Sequence, residues 1–140
     1  TNVVKVSQRT CRGCTNLKKV ILNDKVEILY GDPFRDCVAL TEISDIPDTC
    51  YEIGGDCFNG CSSLKSIVIG RGVTQISNSA FRNCTSMESL FIKTAIPPML
   101  GNDAFTNNHC KIYVSIGSGA AYKAATNWSA YADRIYEYDF

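Results

Sequence analysis

The sequence predicts a solenoid. Stacked turns of chain wind as a right-handed superhelix of mainly short parallel β-strands joined by turns or short helical turns, and a small α-helical cap closes the C-terminal end. Three observations predict it. Phenylalanines recur at Phe34, Phe58, Phe81 and Phe105, in steps of 24, 23 and 24 residues. Each phenylalanine is escorted by apolar residues at fixed offsets. After Val114 that pattern gives way to an alanine- and aromatic-rich segment.

The offsets define the unit. Cys37, Cys61 and Cys84 follow the first three phenylalanines by three residues, Leu40, Leu64 and Met87 by six, and Ile43, Ile67 and Leu90 by nine. Leu29, Ile53 and Ile76 precede them by five, and Val26, Cys50 and Val73 by eight. The same template reaches the start of the chain, where Val3, Val6, Cys11, Cys14, Leu17, Val20 and Leu22 fill the slots. A clipped turn ends the series, with Ile112 and Val114 in the places of Leu90 and Ile92. A period of 23–24 lies in the leucine-rich-repeat range, so the fold class is a leucine-rich-repeat solenoid over residues 1–114 with a capping segment over 115–140.

The physics follows from the pattern. One unit is too small to enclose its own apolar side chains, and stacking superposes identical slots into one continuous core. The core column is Phe34, Phe58, Phe81 and Phe105, with Cys14, Cys37, Cys61 and Cys84 and with Leu17, Leu40, Leu64 and Met87 beside it. The Leu-x-x-Ile-x-Ile segment alternates as a strand does, and stacked copies form a parallel sheet with strands about 4.8 Å apart. The Val-x-x-Ile segment supplies a second, shorter ribbon. Asp36, Gly60 and Asn83 stand just before the cysteines and tolerate left-handed or turn geometry, which predicts a tight or short helical turn there.

The closing segment breaks the period. Ser118 reads as a helix N-cap and Gly119 to Ala125 as a short helix. Tyr122 and Ala125 face inward, followed by Trp128, Tyr131 and Ile135. Such a cap covers core and strand edge that an open solenoid end would expose. An aromatic ligand platform is the functional alternative.

Composition excludes several classes. The 140 residues are 45% hydrophobic and 20% charged, with zero formal net charge, which argues against a strong non-specific nucleic-acid binder. No apolar run approaches the ~18 residues of a membrane span. The chain opens without a long apolar stretch, so no signal peptide is visible, although one removed before Thr1 would leave no trace. Residues 1–23 sum to +5, residues 24–56 to −7 and the rest to +2. That asymmetry is read as an unevenly charged solvated surface, with partner guidance as the alternative.

Eight cysteines invite a disulfide or zinc reading, and Cys11-Arg12-Gly13-Cys14 spells C-x-x-C. Seven of the eight occupy slots where an apolar residue belongs, and Cys110 lies in the clipped turn. They are expected to be buried free thiols acting as small hydrophobes; disulfide pairing stays open as the alternative. No second C-x-x-C exists for a zinc site, so no metal and no cofactor are expected. His109 is the single histidine, and no Gly-x-Ser-x-Gly, Walker or dinucleotide fingerprint is present. Asp48, Glu52 and Asp56 fall between core slots and read as solvated carboxylates. Sequons at Asn83 and Asn127 are taken as chance.

The segments Ala80-Phe81-Arg82-Asn83-Cys84-Thr85-Ser86-Met87-Glu88-Ser89-Leu90-Phe91-Ile92 and Cys57-Phe58-Asn59-Gly60-Cys61-Ser62-Ser63-Leu64-Lys65-Ser66-Ile67-Val68-Ile69 resemble the BspA-like class of bacterial leucine-rich repeats. So does the ending, from Ile96-Pro97-Pro98 through Tyr122-Lys123-Ala124-Ala125 and Trp128 to Ile135. Cys11 in a phenylalanine slot and Ser115 in place of a common proline depart from the pattern. The resemblance implies a non-enzymatic cell-surface or secreted adhesion module of host-associated bacteria of the Bacteroides type, with no catalytic residues to carry over. It implies an extracellular setting in which free thiols, unusual in secreted proteins, would persist under anaerobic conditions.

The leading functional reading is a protein-binding module. Between the two buried strand residues of each unit stands one that points outward: Ile21, Ser44, Val68, Phe91 and Tyr113. Val68, Phe91 and Tyr113 form an apolar row flanked, two positions earlier, by Ser66, Ser89 and Lys111. Such a stripe with a polar rim suits a protein partner, including a host extracellular-matrix or surface protein, or a glycan, but not nucleic acid. The competing reading is cross-strand packing without a ligand. Two further hypotheses are a purely architectural terminal piece of a longer surface protein and a thiol enzyme, which requires reactive thiols.

Overall fold

The structure, a computed structural model, describes residues 5–140. The slot assigned to Val3 lies outside the described residues. Among the described residues eleven strands are all paired in parallel: β1 (Lys5–Val6), β2 (Lys19–Val20), β3 (Ile28–Leu29), β4 (Glu42–Ile43), β5 (Glu52–Ile53), β6 (Ser66–Ile69), β7 (Gln75–Ile76), β8 (Ser89–Ile92), β9 (Met99–Leu100), β10 (Lys111–Ser115) and β11 (Ile135–Tyr138). The Val-x-x-Ile segments make the expected second ribbon, a five-stranded sheet in the order β1-β3-β5-β7-β9. The longer strands make a facing sheet in the order β6-β8-β10-β11.

Between the sheets runs the core. The rings of Phe34, Phe58, Phe81 and Phe105 stack nearly parallel, with centroids 5.5, 5.5 and 5.8 Å apart. Ile53, Leu64, Ile76 and Leu90 are fully buried beside them. Each turn is tightened by a left-handed residue just before the cysteine slot: Asp36, Gly60, Asn83 and Asn107 have φ of 60°, 79°, 58° and 55°. Aspartate, asparagine and glycine are the residues that tolerate this conformation. Asn83 and Asn107 also link the turns. Asn83 donates to Asn59 Oδ1 at 3.0 Å, and Asn107 donates to Asn83 Oδ1 at 2.8 Å.

The cysteine column does more than fill space. Cys37, Cys61 and Cys84 each donate a thiol hydrogen bond of 3.1 Å to a backbone carbonyl one turn back, on Cys11, Phe34 and Phe58 respectively. In the clipped turn the same slot, three residues after Phe105, holds Asn108, whose Nδ2 donates to the Phe81 carbonyl at 3.1 Å. The slot therefore selects a compact donor, which is why a polar residue is buried there.

Three expectations need correction. Cys14 is exposed, while Leu17 and Cys11 are only half-buried. The turn that carries them has the Cys37 turn on one side and, among the described residues, nothing on the other. The facing sheet is not continuous either. β4 pairs with β2 as a separate two-stranded piece, and among the described residues an isolated Ile46–Ile69 bridge joins that piece to β6. The cause is one extra residue: Ile43 to Ile46 spans three positions where Ile67 to Ile69 spans two. Ile46 fills the core place, Asp45 is exposed, and Ser44 turns aside to accept a hydrogen bond from the Leu22 amide at 2.9 Å.

The third correction concerns the cap. Helix α1 (Gly119–Ala124) forms, but Ser118 Oγ donates back to the Ser115 carbonyl instead of capping it. Glu137 caps in its place, accepting from the Gly119 amide at 3.0 Å, and its carboxylate complements the positive end of the helix. A short 3-10 helix, kinked at Tyr131, spans Ser129–Arg134. The chain then returns as β11, which pairs with β10. Ile135 lies 23 residues after Ile112, so the strand period continues through the cap. What changes is the connection between strands, not the strand. Trp128 and Tyr122 are buried and seal the last turn, donating to the Pro98 and Thr94 carbonyls at 2.7 and 2.8 Å.

Candidate functional site

The facing sheet builds the site. Parallel register aligns Val68 with Phe91, Phe91 with Tyr113, and Tyr113 with Tyr136. Alternation sends their neighbours inward: Ile67, Ile69, Leu90, Ile92, Ile112 and Val114 are all buried. The row therefore lies on the outer face, as parity requires. Phe91 and Tyr113 stack at 4.9 Å with their planes 15° apart. Tyr113 continues to Tyr136 at 5.9 Å. Regular spacing between strands is what places ring over ring.

The C-terminal residues add to the face. Tyr138 stands edge-on against both Phe91 and Tyr113, at 5.2 and 5.9 Å, and Phe140 stands edge-on against Phe91 at 6.3 Å. Val68, Phe91 and Tyr113 are half-buried, whereas Tyr136, Tyr138 and Phe140 are 46%, 45% and 41% exposed. The sequence reading missed this extension because it placed Ile135 in a helical cap. The signal was the 23-residue step from Ile112 to Ile135 and the alternation of Tyr136 and Tyr138.

Polar groups rim the face. Ser66 and Lys111 are exposed and Ser89 is half-buried, so the three flanking residues do line up beside the row. Lys111 Nζ lies over the Tyr136 ring, 5.7 Å from its centroid. On the other side Lys93 Nζ sits 3.3 Å from Asp45 Oδ2, bridging across the turn that carries Val68. Asp45, Lys93, Val68, Phe91, Tyr138 and Phe140 enclose a shallow recess of about 290 Å³. The recess is open to solvent rather than closed around a ligand-sized space.

The other candidates are dispersed. His109 is exposed in the clipped turn. Asp48 pairs with Arg71 at 3.6 Å, Asp56 with Arg35 at 3.5 Å, and Glu52 lies within β5. Among the described residues no group of three His, Cys, Asp or Glu side chains is placed to hold a metal ion. Their eight cysteines are unpaired, and six of them, Cys37, Cys50, Cys57, Cys61, Cys84 and Cys110, are buried. Burial pushes the Cys37, Cys50 and Cys110 thiols up to about 11 and that of Cys84 up to about 12, and raises Cys57 and Cys61 far above the ordinary range. Such thiols are poor nucleophiles. Among the described residues no helix is long and apolar enough to cross a membrane.

Comparison with known proteins is consistent with this geometry. A family model described as "BspA type Leucine rich repeat region" matches residues 1–113 in six copies. The fold is similar to the crystal structure of a leucine rich cell surface protein from Faecalibacterium prausnitzii A2-165, with a TM-score of 0.72 and 29% sequence identity. That likeness covers 86% of this chain and 32% of the other, so the chain spans about a third of that protein's length. No curated protein matches the sequence.

Proposed function

The chain belongs to the BspA-type leucine-rich-repeat family, and from that premise we propose that it is a non-enzymatic cell-surface or secreted adhesion module whose outer sheet face contacts an extended protein partner. The observation that carries this reading is the stacked aromatic row. Phe91 and Tyr113 lie on the outer face with Tyr136, Tyr138 and Phe140 around them. Aromatic residues are the side chains enriched at the centres of protein interfaces, and soluble monomers rarely leave such a patch without use. Ser66, Ser89, Lys111 and the Asp45–Lys93 pair supply the polar rim. A host extracellular-matrix or surface protein is the partner class this face suits first, with a glycan next. An extracellular or cell-surface location follows from the same reading.

The test is direct binding of the chain to a panel of purified extracellular-matrix proteins and glycans. The reading expects at least one protein to bind, and Phe91→Ala with Tyr113→Ala to weaken that binding. Binding that survives both substitutions rejects the row as the contact.

A second reading has its own support. The row is already half-covered by Tyr138 and Phe140. If the aromatics serve only to fasten β11 to the sheet, the chain is an architectural terminal cap with no ligand of its own, and no protein or glycan on the panel will bind.

A further inference from the structure

One departure from the repeat aims a charge onto the border of the aromatic row. The extra residue between Ile43 and Ile46 sends Ile46 into the core and leaves Asp45 exposed. An inserted residue of this kind redirects a side chain and disrupts local pairing, and the disruption here is the break between β4 and β6. Gly70 lies across that break. A β-carbon on it would stand 2.5 Å from the Ile46 carbonyl oxygen and 2.8 Å from the Asp48 amide nitrogen, so the position stays bare. Lys93, from the next turn, reaches over it, and its ammonium meets Asp45 Oδ2 at 3.3 Å, 48 positions away in the chain. The pair is lopsided: the Lys93 side chain is 27% exposed and that of Asp45 61%. The carboxylate is the group the face presents. Its surroundings carry the same sign. Asp45 and Lys93 separate the recess beside Val68 and Phe91 from a second one lined by Asp24, Pro47 and Asp48. Among the described residues Asp24 makes no ion pair, and Asp48 meets Arg71 at 3.6 Å with both side chains well exposed. The opposite flank of the row carries Ser66, Ser89 and Lys111, so the negative charge marks one side.

We infer that Asp45 sets the chemistry of the partner: the face takes an extended protein segment that lays an aromatic side chain beside Phe91 and, two residues along, a basic side chain that competes with Lys93 for the Asp45 carboxylate. The inference rests on the reading of the row as a contact face and adds the charge the partner carries. The spacing suits it. Residues two apart point to one side of an extended chain and stand ~7 Å apart, while the turns of Asp45 and Phe91 are two steps, ~10 Å, from each other. The stem of a lysine or arginine covers the difference. Complementary charge at the edge of an apolar contact selects among partners more than it adds raw affinity. Asp45 is thus a specificity residue, and Lys93 is the built-in cation that a partner must outcompete.

The experiment titrates the full chain with three synthetic peptides: Thr-Phe-Thr-Arg-Thr-Tyr and its versions with Gln or Glu in place of Arg. The unaltered chain should bind the Arg peptide about fivefold more tightly than the Gln peptide, the upper end of what an exposed ion pair contributes, and the preference should shrink at high salt. Asp45→Asn should erase that preference and, with Lys93 freed, shift binding towards the Glu peptide. Lys93→Gln should widen the preference for Arg. Opposite shifts exclude a pair that merely braces the turns, because loss of either partner would then weaken all three peptides alike. Phe91→Ala should weaken all three. Equal affinity for the Arg and Gln peptides, or parallel effects of the two charge variants, would overturn the inference while leaving the contact face standing. Binding of none of the three to the unaltered chain would overturn it together with the row as a site for an extended segment.

Discussion

The thiol of Cys84 donates a hydrogen bond to the backbone carbonyl of Phe58, one turn back, across 3.1 Å. Cys61 does the same to Phe34, and Asn108 does it to Phe81. The column is a line of donors threading one turn to the next. Cys84→Val removes the donor and keeps an apolar side chain in the slot. The Phe58 carbonyl still accepts from the Cys61 amide at 3.0 Å, so the expected loss is that of one ordinary hydrogen bond, about 0.5–1.5 kcal/mol. Urea denaturation of the two chains measures it, and an unchanged midpoint would show that the thiol bond contributes nothing.

The phenylalanine stack separates inward from outward positions. Phe58→Ala and Phe81→Ala remove rings that are fully buried between two others, and each should cost about 3–5 kcal/mol. Phe91 is only half-buried on the outer face, so Phe91→Ala should cost clearly less. Urea melts of the three variants decide it, and equal destabilisation would contradict the assigned register.

Thiol reactivity should divide the cysteines into two sets. A thiol reagent added to the folded protein at pH 8 should label exposed Cys14 first, half-buried Cys11, whose thiol burial and the neighbouring Cys14 push up, more slowly, and the six buried cysteines only after unfolding. Labelling sites read by mass spectrometry check this. The same burial makes stability depend on pH. Cys37, Cys50 and Cys110 hold their protons in the folded chain to about 11 against an ordinary 9.0. Between those values the unfolded chain releases protons that the folded chain keeps. Stability is therefore full below pH 9 and falls as pH rises towards 11 and, with Cys84 at about 12, beyond. Flat stability from pH 8 to 11 would show that those thiols titrate normally.

Besides the β10–β11 pairing, single side-chain hydrogen bonds tie the cap to the last turns. Trp128 is buried, and its indole N–H donates to the Pro98 carbonyl at 2.7 Å. Trp128→Phe leaves that carbonyl without its partner, at a cost of about 1–3 kcal/mol. Thermal melts of the variant should show the loss, and a variant as stable as the parent would mean that the bond is dispensable.

Much of this architecture was legible because stacking forces identical slots to repeat. The Phe34–Phe105 column, the Val-x-x-Ile ribbon and the left-handed Asp36, Gly60 and Asn83 all sit where the period puts them. The row at Val68, Phe91 and Tyr113 followed from strand parity alone. Other features turned on departures from the period. One extra residue before Ile46 breaks the facing sheet. Asn108 sits in a cysteine slot and shows that the slot wants a donor rather than an apolar group. β11 keeps the strand step while α1 replaces the Phe–Cys turn, so a template built on phenylalanine and cysteine passes over it. Exposure of Cys14 depends on which neighbours stack on its turn, which the residue's own slot does not encode.

The central claim is that the outer aromatic row is a contact face for a protein. The measurement that tests it most directly is a binding isotherm of the chain and of its Phe91→Ala/Tyr113→Ala variant against the tightest-binding protein on the extracellular-matrix panel, with a urea melt of each chain alongside. The account predicts a loss of affinity of at least about tenfold, the size expected when interface anchors are removed, in a variant that remains folded. Undiminished affinity in the folded variant, or a panel on which no protein binds at all, would contradict it.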